Sequence, residues 1–107
     1  MPQQQMTDEL QRLQDWYSSQ CNGDWEHTFG IALETIDNPG WRLKIDVAET
    51  PLECVTFDPV DIERSAADWV HCKVEAAAFI GHGGASNLAE VLSLFLDWVE
   101  RARGVAV

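Results

Sequence analysis

Basic residues are scarce in this chain: seven Lys and Arg stand against eighteen Asp and Glu, a net charge of −11 over 107 residues. That balance repels DNA, RNA and anionic membranes and excludes them as partners. It favours a basic protein partner, whose approach is steered and sensitive to salt; the plainer reading is that the acidity serves solubility. Paired cysteine spacing is missing too. Cys21, Cys54 and Cys72 form an odd set, and no apolar leader follows the amino terminus, so a reduced, cytoplasmic setting is expected. Without Cys-x-x-Cys or His-x-x-x-His, zinc has no recognisable ligand pattern. Only His71 and Cys72 are adjacent, and neighbours on a strand point apart. Cys54 and Cys72 read instead as small core residues, and neither a metal nor a cofactor is expected. The longest apolar stretch, Val91 to Val99, is broken by Ser93 and Asp97 and is too short to cross a bilayer. No lipid-anchor motif is visible.

Apolar residues make up 46% of the chain and five are Trp, enough for one ordered core at this length but not for two. A single domain over 1–107 is therefore expected, with the Gln-rich residues 1–6 frayed. Thr7 offers a cap, Asp8 and Glu9 an acidic first turn, and Leu10, Leu13, Trp16 and Tyr17 recur at helical spacing, which predicts a helix over about 8–20, ended by Asn22-Gly23. Phe29, Ile31 and Leu33 alternate with polar neighbours from Glu26 to Thr35. Asp37-Asn38-Pro39-Gly40 is a turn, and Trp41, Leu43, Ile45 and Val47 alternate again, so these segments read as an antiparallel hairpin. A shorter strand is expected over Leu52–Phe57 and a fourth over about 67–80, broken by Gly81-His82-Gly83-Gly84. Ser86 or Asn87, with Glu90, caps a last helix carrying Leu88, Val91, Leu92, Phe95, Trp98 and Val99, with Arg101 and Arg103 in its last turn before Gly104. The expected fold is α+β: a four-stranded antiparallel meander flanked by an N-terminal and a C-terminal helix, α-β-β-β-β-α.

Few residue patterns suggest chemistry. Asp24, Glu26 and His27 hold an acid, a base and an imidazole, but successive residues entering a strand face opposite ways, which keeps Glu26 and His27 out of one site. Gly81-His82-Gly83-Gly84 before a helix suits an anion, yet no Lys follows the glycines and no Gly-x-Ser-x-Gly elbow exists, so a flexible connection is the better reading. From Asp46 to Glu63 the chain carries Asp46, Glu49, Glu53, Asp58, Asp61 and Glu63, and no basic residue. Such a run is either a solvated face or an acidic edge shaped for a basic partner.

The string Trp16-Tyr17, then Gly23-Asp24-Trp25-Glu26-His27, then Asp37-Asn38-Pro39-Gly40-Trp41 resembles the immunity protein 53 family, small bacterial proteins of polymorphic toxin systems. The resemblance is densest over residues 10 to 47. It implies a binding protein, not an enzyme, that neutralises a cognate toxin by stoichiometric occlusion of its active surface. The implied partner is a basic toxin domain, with nucleases as one candidate class because carboxylates can stand where phosphates sit. Under this reading Asp24, Glu26, Asp46, Glu49, Glu53, Asp58 and Asp61 are the contact carboxylates, and Trp41 or Trp69 an aromatic anchor. Trp25 and Trp98 belong to the core. Two alternatives stay open. A small hydrolase using His27 or His82 with a nearby carboxylate requires a concave pocket, and an interaction module pairing through the last helix requires a homo-oligomer.

Overall fold

A computed structural model describes residues 8–105. The expected cap at Thr7 and fraying of 1–6 lie outside the described residues. The chain runs α1 (Asp8–Gln20), a single turn α2 (Trp25–Thr28), β1 (Ile31–Ile36), β2 (Gly40–Asp46), β3 (Val60–Ser65), β4 (Asp68–Glu75), β5 (Ala78–Gly84) and α3 (Leu88–Val105). The α+β class and the helices at both ends are as the sequence predicts; the sheet has five antiparallel strands instead of four. Nor is it a simple meander. The order β1-β2-β5-β4-β3 puts the last strand at the centre, and residues 47–59 carry the chain from β2 to the far edge.

Four expectations fail for identifiable reasons. The pattern over 67–80 is two strands, β4 and β5, joined at Glu75↔Ala78 by a two-residue turn in which Ala76 and Ala77 take φ of 54° and 58°. Such turns normally announce themselves as Asn-Gly or Asp-Gly, so an Ala-Ala pair leaves no signal. Gly81-His82-Gly83-Gly84 is no connection but the carboxyl-terminal half of central β5. A Cβ on Gly81 would stand 2.6 Å from Val91 Cγ1 and one on Gly83 3.0 Å from Val91 Cγ2, so these glycines let α3 lie directly on the sheet. Leu52–Phe57 is turn and coil, and β3 lies just beyond it at Val60–Ser65. Leu52 and Phe57 are apolar because they plug the core from a crossover, with Phe57 edge-on to Phe79 and Trp98 at 5.4 and 5.1 Å. Cys54, read as a core residue, is exposed between them, whereas Cys72 is buried and its thiol is pushed up to about 12 by that burial.

The core lies between the sheet and α1 and α3. Leu43, Ile45, Val70, Cys72 and Phe79 face Val91, Leu92, Phe95 and Trp98. Trp25 and Trp98 are 3% and 1% exposed, as expected of core residues. Trp16 joins the amino-terminal segment to this core, edge-on to Trp25 at 6.1 Å and to Phe95 at 5.0 Å. The opposite sheet face carries Arg42, Lys44, Trp69, His71, Lys73 and His82, and among the described residues no helix covers it.

Candidate functional site

The segment Asn22–Thr28, expected to lead into a strand, forms instead a corner and one helical turn. Asn22 Oδ1 accepts from the N–H groups of Asp24 and Trp25, both at 2.9 Å, while Glu26 reaches back to accept from Asn22 N–H at 3.0 Å and Gly23 N–H at 2.8 Å. This reciprocal capping explains the Asn22-Gly23 and Glu26 spacing that periodicity cannot read. It also holds the Glu26 carboxyl below its ordinary range, first through its own backbone N–H and then through those of Asn22 and Gly23. Glu26 therefore shapes the corner, while Asp24, exposed and without a side-chain capping bond, projects from it.

The corner docks on the crossover: Trp25 Nε1–H donates to Ala48 O at 2.9 Å, and Gly30 N–H to Asp46 Oδ2 at 3.0 Å. Val47 N–H in turn binds Ala77 O at 2.9 Å. Asp24, Asp46, Glu49, Glu53 and Asp58 are thus drawn to one end of the sheet, where β2 stops and the chain heads for β3. Glu49, at φ 60°, donates its backbone N–H to Glu53 Oε1 at 2.9 Å, which fixes the Glu53 side chain over the turn. Asp46 is half-buried and shares Lys44 at 3.8 Å.

The remaining expected site residues lie elsewhere. Asp61 and Trp69 are on the open sheet face, with Trp69 stacked obliquely on His71 at 5.1 Å. Trp41 is on the helix side at the opposite end, its indole N–H donating to Ala85 O at 2.9 Å. One end of the sheet therefore holds five of the nine candidates, spread across its width, with Glu26 beneath the corner, and Trp41, Asp61 and Trp69 stand apart.

Most of the basic side chains are already engaged. Arg12, Arg42, Lys44, Arg64, Lys73 and Arg103 are each ion-paired, to Asp8 and Asp97, Glu34, Asp46, Asp68 and Glu90, Glu75, and Glu100 respectively. Arg64 is the most engaged, lying 2.7 Å from Asp68 and 2.6 Å from Glu90, with Asn87 Nδ2 donating to the same two carboxylates. That network depresses both carboxyls and ties the β3–β4 turn to the start of α3. Among the described residues Asp24, Glu49, Glu53 and Asp58 have no cationic partner, and neither do Glu9, Asp15, Glu26 and Asp37.

On the open face the fold assembles a cluster that the sequence did not reveal, joining the candidate Asp61 to Glu63 and His71. His71 Nε2 stands 3.0 Å from Glu63 Oε2 and 3.1 Å from Asp61 Oδ1, and these three donors lie within 4.8 Å of one another, the kind of set a divalent cation takes. All three are solvent-accessible, and hydrogen bonding from the imidazole accounts for their proximity. The register Asp61↔His71↔His82 across three strands brings them together; with β3 unrecognised, no sequence spacing could show it. His82 has its pKa lowered by burial and then by electrostatic repulsion, chiefly from Arg42. Among the described residues neither His27 nor His82 hydrogen-bonds a carboxylate. A cavity of about 640 Å³ lined by Trp16, Leu52, Val55 and Val99 includes neither histidine, whereas an open hollow of about 440 Å³ on the uncovered face is lined by His82 together with His71 and Glu63.

No curated protein and no solved structure matches the chain. A family model described as Immunity protein 53 does, over residues 10–100. The match takes in the Asn22–Thr28 corner, the Asp37–Trp41 turn, the acidic crossover and the glycines of β5, and so extends well past the amino-terminal half that carries the visible motifs. The chain belongs to the immunity protein 53 family.

Proposed function

We propose that this chain neutralises a toxin domain by forming a stoichiometric complex that covers the toxin's active surface, with no turnover of its own. Family membership supports the class of function, and one observation supports the surface: Asp24, Glu49, Glu53 and Asp58 lie toward one end of the sheet, exposed and with no cationic partner among the described residues. Unpaired, solvated carboxylates on an ordered corner and crossover suit a basic toxin cleft, where they raise the association rate and form charge-assisted hydrogen bonds. Asp46 adjoins this surface, Glu26 fixes the corner that presents Asp24, and Asp61 and Trp69 form a second contact area on the open face. The partner is a basic protein domain; nucleic acid and membrane are repelled by the same charge.

The deciding experiment is co-expression of this chain with the toxin domain encoded beside its gene, with the mass of the purified complex measured in parallel. Rescue of growth together with an equimolar complex is expected. Continued toxicity with no complex would refute the reading.

A further inference from the structure

The two edges of the sheet are built differently. β3 carries a register irregularity between Glu63 and Ser65 and the charged residues Asp61, Glu63 and Arg64, devices that keep another strand from pairing with an edge. β1, Ile-Ala-Leu-Glu-Thr-Ile, pairs with β2 in unbroken register over all six residues, and it has no proline, no lysine and one charge. Its backbone phase follows from one bond. Asp46 N–H donates to Gly30 O at 3.0 Å, and that pair continues the Ile31↔Ile45 register, so the bonded positions are Ala32, Glu34 and Ile36. The N–H and C=O groups of Ile31, Leu33 and Thr35 therefore point away from β2, and their N–H groups find no other partner among the described residues.

Apolar surface accumulates along that same edge. Among the described residues the exposed large apolar side chains are Leu10, Tyr17 and Leu33, at 55%, 37% and 46% exposure; Leu33 is on β1 and Tyr17 lies beside it. Leu10 and Tyr17 share the α1 stripe with Leu13, and Leu13, Tyr17, Gly30 and Ile31 line a hollow of about 330 Å³ beside β1. An unpaired edge beside the exposed Leu33 and Tyr17 is a template for strand addition, in which main-chain bonds give affinity and alternate side chains give selectivity.

We propose that β1 is a docking edge on which an extended segment of the toxin adds as a further strand; this rests on the toxin-binding reading above. A second copy of this chain fits poorly, because each copy carries −11. The segment that fits alternates apolar side chains, which lie over Leu33 and Tyr17, with neutral or basic ones, which face Glu34. Running past Ile31, it arrives at the unpaired carboxylates of Asp24 and Glu49.

Amide hydrogen exchange on this protein, free and in complex with the toxin domain encoded beside its gene, tests the assignment. The Ile31, Leu33 and Thr35 amides are expected to exchange rapidly in the free protein and at least about tenfold more slowly in the complex. Leu33→Lys and Thr35→Pro, which remove the apolar contact and an outward N–H while sparing the β1–β2 bonds, should each weaken binding about tenfold or more with the melting temperature retained. If either variant unfolds, the exchange measurement on the unaltered chain still decides. A complex in which the three amides exchange as in the free protein overturns the docking edge and leaves toxin binding standing. Protection before toxin is added, with a dimeric mass, overturns it in favour of a second copy. No complex at all overturns both readings.

Discussion

At the scale of single residues, the amino-terminal motif divides into parts with distinct tasks. Trp25 is buried between Trp16, Tyr17 and Phe29 and also donates from its indole to Ala48 O. Trp25→Ala should therefore cost about 3–5 kcal/mol, as core aromatic truncations do, with the indole's bond lost as well. A denaturant midpoint unchanged from the parent would remove Trp25 from the core. Glu26 acts through charge. Its folded pKa lies below the ordinary value of 4.5, so its contribution is fully present above that value and is lost as pH falls through the folded one. Glu26→Gln should lower the melting temperature at neutral pH, and the gap from the parent should close in acid. A gap that persists in acid would show that the side chain's shape, not its ionisation, holds the corner. Both tasks were half legible. The sequence marks Trp25 as a core residue, but the exchange of bonds between Asn22 and Glu26 is local polar chemistry that hydrophobic periodicity does not register.

At the scale of elements, what could be read followed the strength of the local signal. Helix α1 and the β1–β2 hairpin were legible because amphipathic spacing and the Asp37-Asn38-Pro39-Gly40 turn act within a few residues. The β4–β5 turn and the β5 glycines were not. Ala76 and Ala77 adopt left-handed φ under pressure from strands on both sides, and Gly81 and Gly83 answer to a helix that begins only at Leu88. Tertiary packing decides both, and the same contacts make the turn improvable. Ala in the left-handed region costs about 1–2 kcal/mol, so the double substitution Ala76→Asn, Ala77→Gly should stabilise the fold by about 1 kcal/mol and raise the melting temperature by about 5 °C. A melting temperature that stays put or falls would show that the hairpin carries no strain worth relieving.

At the scale of the whole molecule, the charge is uneven in a way that composition alone does not disclose. The sequence displays the acidic run from Asp46 to Glu63, but the fold divides it: Asp46 to Asp58 lie along one end, while Asp61 and Glu63 turn onto the open face toward His71. Asp24 joins the first group from far earlier in the chain, through the docking of Trp25 on Ala48. Reversing Glu49 and Asp58 to Lys replaces two unpaired carboxylates with cations at exposed positions, where the fold has little at stake. Association with the toxin domain should slow by about tenfold at low ionic strength, and the difference should shrink as salt rises toward a Debye length of about 3 Å at 1 M. The same pair of reversals at Glu34 and Glu75, whose charges are already met by Arg42 and Lys73, should change the rate less. Equal slowing by both pairs would mean that net charge alone steers the encounter. Slowing confined to Glu49 and Asp58 would place the toxin's first contact at the end of the sheet from which β1 starts.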